Sequence, residues 1–242
     1  MTIETKPITE ALWLGEVDYE IALESQMEQV ARHKADPNTA DKLFLLEHPP
    51  TYTYGIRGKE EHLLIDSDQL AAEGISTHRI KRGGDITYHG PGQLVGYPIL
   101  NLKRLYQERG FPKLKLHGYV RELEEVIIQA IAQFGIQGWR YPGYTGVWVG
   151  SEEHPRKIAA IGIHVTSKGI SSHGFALNVN PNMNHFSYII PCGIREHAVT
   201  SLSQEILRSS HELDRELTTA DLQQPIIDAF QRVLEVEVIQ SF

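Results

Sequence analysis

The chain has 242 residues, of which 41% are hydrophobic and 22% charged, and its formal net charge is −8. The apolar content excludes an intrinsically disordered chain, and the acidic balance argues against general nucleic-acid binding. With a single cysteine, the chain can form neither an internal disulfide nor a cysteine-based zinc cluster.

No targeting or membrane segment is expected from the sequence. No window approaches the run of about 20 apolar residues that crosses a bilayer, and no apolar stretch follows the first charged residues as in a secretory signal. The length suits one large domain. We therefore expect a cytoplasmic protein that forms a single domain.

The first half of the chain predicts one helix and three strands. Residues 12–15 are typical of a short strand, and residues 18–33 carry apolar side chains near helical spacing. The apolar run 43–46 precedes two prolines and predicts a buried strand, and residues 51–54 are rich in strand formers.

The second half predicts two further helices, at 116–135 and 218–234, from apolar residues at helical spacing. No steady alternation of strand and helix appears, which favours an α+β fold with a mixed or antiparallel sheet. The strands of this half are predicted at 144–149, 158–165, 174–180 and 236–239.

The most unusual stretch is the glycine-rich segment 82–93, Arg-Gly-Gly-Asp-Ile-Thr-Tyr-His-Gly-Pro-Gly-Gln. Glycine adopts positive φ freely and lets a ligand approach the backbone, so the segment is a candidate pocket wall. A tight hairpin without a ligand is the alternative. The segment lacks both the Gly-Lys-Ser/Thr ending of a Walker loop and the spacing of a dinucleotide-binding loop.

Cys192 and Lys157 are candidate reactive residues. A lone cysteine is more often a small buried hydrophobe, but Pro191 and Gly193 indicate a turn, where a thiol is accessible. Lys157 opens a strongly apolar strand, although a solvated residue at a strand edge is the simpler interpretation of its position. A cation beside the thiol would favour the thiolate.

The glycine-rich segment and five later motifs together resemble the lipoyl(octanoyl) transferase family. The resemblance runs from about residue 12 to residue 207 and implies a mixed α+β sheet related to the biotin and lipoate protein ligases. It also implies a single catalytic domain over residues 1–242, with its core at about 40–225. The later motifs are Gly-Val-Trp-Val-Gly at 146–150, Arg-Lys-Ile-Ala-Ala-Ile-Gly-Ile at 156–163, His-Gly-Phe-Ala-Leu-Asn-Val-Asn at 173–180, Pro-Cys-Gly-Ile at 191–194 and Thr-Ser-Leu at 200–202.

The resemblance also implies which residues bind the acyl group. Glycine amides can donate to a thioester oxygen as charge develops, and Phe175 can pack on the methylenes of a straight chain. Ala160 and Gly162 leave room for that chain, or merely allow close sheet packing. The family's acyl-binding positions correspond to Arg82, Gly83, Gly84, Asp85, Ile86, Thr87, Tyr88, His89, Ala160, Ile161, Gly162, His173, Gly174 and Phe175.

The resemblance implies a Cys/Lys pair at Cys192 and Lys157. Cys192 would take an octanoyl group from octanoyl-acyl carrier protein as a thioester, and a lysine of a lipoyl domain would then receive it as an amide. Lys157 would stabilise the thiolate and accept a proton from the attacking amine. The expected acceptors are lipoyl domains of 2-oxo acid dehydrogenase E2 subunits, glycine cleavage H protein, or both. We expect no cofactor, metal, nucleic acid or membrane.

Three other functions stay open. An ATP-dependent lipoate protein ligase would lack the Pro-Cys-Gly nucleophile and need an adenylate site. A non-catalytic acyl-binding module would need neither reactive residue, and a Cys-His thioesterase or protease has no matching signature. His89 and His164 are weaker candidates, because Lys157 and His164 would face opposite sides of a strand unless a bulge intervenes.

A basic segment interrupts the acidic chain. Residues 79–121 contain nine Lys or Arg and two acids, a net charge of +7, so the remainder carries −15. Chance clustering on a solvated face is one explanation. The other is a docking surface for an acidic partner beside the pocket, which predicts contacts from Lys103, Arg104, Lys113 and Lys115.

Overall fold

The structure, a computed structural model, describes residues 6–190, 197–209 and 215–241. Within these ranges, 3-10 turns lie at Glu60–His62 and Met183–Tyr188. The helices are α1 (Tyr19–Ala35), α2 (Ser67–Ala72), α3 (Leu102–Glu108), α4 (Leu116–Ala132), α5 (Leu202–Arg208) and α6 (Ala220–Leu234). The strands are β1 (Ile8–Glu16), β2 (Asp41–Glu47), β3 (Thr51–Tyr54), β4 (Ser76–Arg79), β5 (Ile86–His89), β6 (Gln93–Ile99), β7 (Trp139–Tyr141), β8 (Tyr144–Val149), β9 (Arg156–Val165), β10 (Ser171–Asn178), β11 (Ala198–Val199) and β12 (Glu237–Ser241).

Nine of the described strands form one mixed sheet. Their order is β12-β1-β2-β6-β10-β9-β8-β7, and β11 pairs with the start of β9. β1 is parallel to both β12 and β2, and β11 is parallel to β9, whereas the other pairs are antiparallel. This mixed sheet with helices packed on it confirms the predicted α+β class.

Both faces of the main sheet are buried at its centre, where β6 and β10 are buried along their whole length. On β2, Leu43 and Leu45 belong to the hydrophobic cluster shared with α4 and α6, whereas Phe44 and Leu46 belong to the cluster shared with α1. The alternation follows from the period of two in a strand. The apolar run that predicted a buried strand therefore comes from a strand with helices on both of its faces.

The three long helices predicted from apolar spacing are confirmed. α1 begins after Asp18, whose side chain accepts a hydrogen bond from the Glu20 N–H at 2.9 Å. α4 and α6 pack beside each other and share the larger cluster. Among the described residues, no helix is long and apolar enough to cross a membrane.

A second, three-stranded sheet carries the glycine-rich segment. β3 lies between the parallel β4 and the antiparallel β5. The core of this small sheet contains Tyr52, Ile86 and Tyr88, and Ile189 and Phe186 pack against it. Since β5 directly follows residues 82–85, the small sheet fixes where the glycine-rich loop meets the main sheet.

Candidate active site

Lys157 lies near the start of β9, next to a bulge. Lys157 pairs with Trp148 of β8, whereas Ala159, two residues on, pairs with Val147, so β9 has one extra residue. Ile158 and Ala159 consequently both belong to the cluster shared with α4. Lys157 therefore shares the opposite face of the sheet with Ala160.

The same bulge changes the position expected for His164. Beyond it β9 pairs regularly with β10 as far as Val165, so His164 lies on the same face as Ala160. A bulge was the condition for Lys157 and His164 to share a face, and that condition is met. His164 is nevertheless exposed, at the far end of the strand.

The Lys157 side chain is buried and closely packed. Its Nζ lies 5.3 Å from the centroid of the Trp148 ring, a cation–π distance. Its Cε lies against Gly146, which has φ +124°. A Cβ at Gly146 would stand 2.7 Å from this Cε and 2.5 Å from the Ala159 carbonyl oxygen. Glycine is therefore required beside the lysine for both space and backbone conformation.

A buried carboxylate supports this glycine from behind. The Gly146 N–H donates to Glu124 Oε1 at 3.0 Å, and Glu124 is fully buried. Arg121 at 2.6 Å and Arg140 at 3.2 Å neutralise its charge. The hydrogen bond ties β8 to α4 at the level of Lys157.

The loop between β4 and β5 lies against the middle of β9. The Gly83 N–H donates to the Ile163 carbonyl at 2.9 Å. Arg82 is buried and donates from Nη2 to the Thr53 carbonyl at 2.6 Å, and from Nη1 to the Gly83 carbonyl at 2.9 Å. Gly84 has φ +91°. The loop backbone is thus held next to Gly162, as a pocket wall requires.

Three of the predicted binding residues stabilise this loop and the small sheet. Asp85 accepts hydrogen bonds from the Ile86 N–H at 2.7 Å and from His62 Nδ1 at 2.5 Å. The side chains of Ile86 and Tyr88 are fully buried in the core of the small sheet, and the Tyr88 hydroxyl lies 2.8 Å from His185 Nδ1. These contacts give Asp85, Ile86 and Tyr88 a structural role.

An open cleft and a narrow pocket meet at Lys157. The cleft has a volume of about 540 Å³ and lies between the glycine-rich loop, β9 and α4. Two small adjoining cavities, of about 40 and about 20 Å³, share Thr87, Ala160 and Ala176 in their walls and are together called the narrow pocket below. Lys157 lines its near end. Predicted binding residues line one or both spaces: Arg82, Gly83, Gly84, Asp85, Thr87, His89, Ala160, Ile161, Gly162, His173, Gly174 and Phe175.

The far end of the narrow pocket is closed by aromatic rings. Tyr19 and Tyr97 line it together with His89 and His173. Sequence reasoning did not identify the two tyrosines, which come from α1 and β6. Phe175 also borders the pocket, but its ring packs over Gly96 in the cluster shared with α4. Phe175 thus supports the pocket from the other face of the sheet.

The histidines at this end are held neutral. Burial lowers the pKa of His173 to about 3, and the positive charge of Arg82 acts in the same direction. Burial lowers the pKa of His48 to about 4. Burial, His48 and Arg82 together hold the pKa of His89 well below its usual value. These three imidazoles are therefore uncharged at neutral pH.

His173 has an unusual backbone and a polar atom without a partner. Its φ is +55°, and its N–H donates to Gln26 Oε1 at 2.8 Å. Its Nδ1, buried beside the narrow pocket, has no hydrogen-bond partner among the described residues. Gln26 is fully buried on α1, and a polar residue within that apolar face is the signal that could have identified it.

Cys192 lies outside the described residues, as do Pro191, Gly193 and Ile194. The chain on either side of them is held near the site. The Ile190 N–H donates to the His62 carbonyl at 2.8 Å, and the Thr200 N–H donates to the Lys157 carbonyl at 2.9 Å. Among the described residues, no group of three potential metal ligands occurs.

Comparison with known families gives a match over most of the chain. The model of the Lipoyl protein ligase A/B catalytic domain matches residues 18–231. The chain is 46% identical to the octanoyltransferase of Acidobacterium capsulatum, over 81% of this chain and 80% of that protein. It is 45% identical to the octanoyltransferase of Nostoc sp., over 91% of this chain and 90% of that protein. With the octanoyltransferase of Myxococcus xanthus it shares 42% identity over 94% of this chain, which spans 60% of that protein.

Solved structures with the same fold include two ligases. Lipoate-protein ligase A bound with ATP has a TM-score of 0.70 at 14% identity, over 96% of this chain and 88% of that one. A bipartite lipoate protein ligase from Thermoplasma acidophilum also has a TM-score of 0.70 at 14% identity, over 97% of this chain and 87% of that one. At this identity the likeness concerns the fold alone.

Proposed function

The chain belongs to the Lipoyl protein ligase A/B catalytic domain family, and we propose that it transfers an octanoyl group from octanoyl-acyl carrier protein to a lysine of a lipoyl domain. Its relatives at 42–48% identity are named octanoyltransferases. The observation that carries the proposal is the narrow, mostly apolar pocket that ends at the buried Lys157.

The narrow pocket holds the octanoyl chain. Thr87, Ala160 and Ala176 give it small walls, and the tyrosines Tyr19 and Tyr97 close its end. Each methylene buried in such a pocket contributes about 0.8 kcal/mol, so the chain itself supplies much of the binding free energy. The thioester end of the chain then lies near Lys157.

Cys192 is the proposed nucleophile and Lys157 its partner. The Cys192 thiolate attacks the donor thioester, the S–acyl bond to the carrier breaks, and the cationic Lys157 gives its proton to the departing carrier, which leaves as a thiol. The lysine ε-amine of the acceptor attacks the new thioester, releases Cys192 and loses a proton that Lys157 accepts. Because an amide is more stable than a thioester, this reaction needs no ATP.

The acceptors proposed are lipoyl domains of 2-oxo acid dehydrogenase E2 subunits and glycine cleavage H protein. The cytoplasm is the proposed location, since the mechanism needs a reduced thiol. Residues 1–242 act as one catalytic domain.

Intact-mass spectrometry tests the proposal. Incubation with octanoyl-acyl carrier protein should add one octanoyl group to the enzyme, and a lipoyl domain should then remove it. Cys192→Ser should show no thioester adduct, and Lys157→Ala should lower the rate of both half-reactions. A normal adduct on Cys192→Ser would refute the assignment, whereas pyrophosphate release during turnover with ATP and octanoate would favour a ligase.

A further inference from the structure

We propose that a second groove, at the start of α4, docks the acidic acyl carrier protein that brings the octanoyl group. This inference rests on the proposed function and names the surface that receives its donor. The groove is called the carrier groove below. Its volume is about 870 Å³, and Lys103, Phe111, Lys113, Leu116 and Val165 line it.

The carrier groove joins apolar surface to positive charge. Phe111 is 47% exposed and Leu116 50% exposed, which is unusual for side chains of this size. Lys103 and Lys113 stand beside them, and no carboxylate lines the groove in the described part of the chain. Apolar anchors within a cationic rim suit a partner whose surface is acidic and carries an apolar patch.

The structure also explains which cations of the basic segment 79–121 are available. Three of its arginines form ion pairs within the fold. Arg104 pairs with the buried Asp41 at 2.9 Å, Arg109 with Glu122 at 2.9 Å and Arg121 with Glu124 at 2.6 Å. Arg104 is therefore held by contacts within the fold, and its predicted contact with a partner stays a prediction.

The lysines of the segment are arranged differently. Lys103, Lys113 and Lys115 are exposed, and the described carboxylates form no ion pair with them. Lys103 lies along Gly169, and its Nζ donates to the Ser167 carbonyl at 3.1 Å, which holds its position on the rim. Two of these exposed cations, Lys103 and Lys113, therefore line one groove of a protein whose net charge is −8.

The carrier groove is continuous with the cleft at Lys157. Leu116 of α4 lines the groove, and Val120, one helical turn further, lines the cleft. On β9, Val165 lines the groove and Ile163 lines the cleft. One track of apolar side chains therefore leads between α4 and β9 from the groove to Lys157.

The length of this track favours the donor over the acceptor. Lys157 and Val165 are eight residues apart on β9, about 26 Å along an extended strand. The phosphopantetheine arm of a carrier protein carries its thioester at the tip and is shorter than this track, so a carrier seated on the groove places the root of its arm at the end of the groove nearest the cleft. An acceptor lysine reaches only the length of its own side chain, so its domain must sit nearer the nucleophile.

Charge reversal tests the carrier groove. The double variant Lys103→Glu/Lys113→Glu should raise KM for octanoyl-acyl carrier protein about tenfold with kcat retained, because like charges then face each other. KM for the lipoyl domain and the kinetics with octanoyl-pantetheine should stay unchanged. Leu116→Ser should also raise KM for the carrier alone. In the wild type, this KM should rise with salt concentration.

Two control variants accompany the test. Arg232→Glu reverses a charge on α6 beside Gln129, about 20 Å along α4 from Leu116, and should leave KM for the carrier unchanged. Lys103→Arg/Lys113→Arg keeps both charges and should retain wild-type kinetics. Lys113→Glu alone, at an exposed position, should give part of the effect if the double variant folds poorly.

The outcomes separate the groove from the proposed function. An unchanged KM for the carrier, an equal loss with octanoyl-pantetheine, or a rise for the lipoyl domain only would overturn the carrier groove. Wild-type enzyme that accepts no octanoyl thioester would refute the proposed function instead. In that case, calorimetry would measure binding of the carrier protein directly. Binding to the wild type that is lost in the double variant would still support the carrier groove, and equal binding to both proteins would overturn it.

Discussion

At the scale of single residues, the position of Lys157 depends on a glycine that no side chain could replace. Gly146 has φ +124° and contacts the lysine Cε. The family motifs include both Gly146 and Lys157, but the sequence alone does not show that the two residues are in contact. The bulge in β9 that turns Lys157 toward Ala160 was likewise not predictable, since the alternation of a regular strand would place them on opposite faces.

Gly146→Ala should therefore lower the rate of octanoyl transfer strongly while it lowers the free energy of unfolding only moderately. The new Cβ would clash with the Lys157 side chain and force a strained backbone, at a cost of about 1–2 kcal/mol, or about 2–8 °C in Tm for a chain of this size. We expect the rate of octanoyl-enzyme formation to fall at least about tenfold.

Gly150→Ala is the matched control. Gly150 also has positive φ, at +83°, and its Cβ would meet Arg156 rather than Lys157. The two variants should lose similar stability in thermal denaturation, and Gly150→Ala should keep its rate of octanoyl-enzyme formation. Equal losses of rate would show that Gly146 has no special part in placing the lysine.

The neutral histidines predict how stability changes with pH. The pKa values of His173 and His48, about 3 and about 4, lie below the 6.5 of an unfolded chain. Between these values the unfolded chain binds more protons than the folded one, so the free energy of unfolding falls as pH falls below 6.5. Above pH 6.5 this contribution is fully present.

His173→Gln should flatten this pH dependence. Urea unfolding at several pH values between 7 and 4 should give a shallower slope for the variant than for the wild type. His154→Gln is the control, because His154 is exposed and is not among the groups that act on His173. If His173→Gln follows the wild-type slope at every pH, His173 is not the neutral, buried group described above.

At the scale of elements, the long helices were predictable because their apolar spacing is regular, whereas β6 was not. β6 contains Gly96 and Pro98, which are unusual in a strand paired on both sides. Gly96 is needed because the Phe175 ring of β10 packs over it, a contact between strands distant in sequence. Tyr97 of this strand closes the narrow pocket, so the pocket's end could not be predicted either.

Neighbouring alanines on β9 give a prediction about acyl chain length. Ala160 lines the narrow pocket along its length, whereas Ala159 borders only its end at Lys157, which every donor passes, and otherwise packs in the cluster shared with α4. Ala160→Val should fill the pocket and lower kcat/KM for octanoyl donors about tenfold relative to butanoyl donors. Ala159→Val should cost about 1–3 kcal/mol of stability through overpacking, with the ratio of the two donors unchanged.

Competition between octanoyl- and butanoyl-acyl carrier protein measures this ratio directly. A ratio that shifts equally in both variants would mean that the acyl chain does not pass Ala160. A shift in Ala159→Val alone would place the chain on the α4 face of the sheet.

At the scale of the whole molecule, the main sheet joins distant parts of the chain. β1 near the start pairs with β12 near the end, and the same sheet continues to β7 and β8 on its other side. Trp13 lies on β1, whereas Trp139 and Trp148 lie on β7 and β8. The tryptophans thus lie near opposite edges of one sheet. Strands from both halves of this sheet contribute to the same hydrophobic cluster.

If residues 1–242 form a single cooperative domain, both sides of the sheet should unfold together. Trp13→Phe removes the reporter on β1, and Trp139→Phe/Trp148→Phe removes those on β7 and β8. Tryptophan fluorescence of each variant in urea should give the same midpoint as its own far-UV circular dichroism, since a two-state transition looks alike to every probe. A fluorescence midpoint below the circular dichroism midpoint in one variant would show that its side of the sheet unfolds as a separate unit.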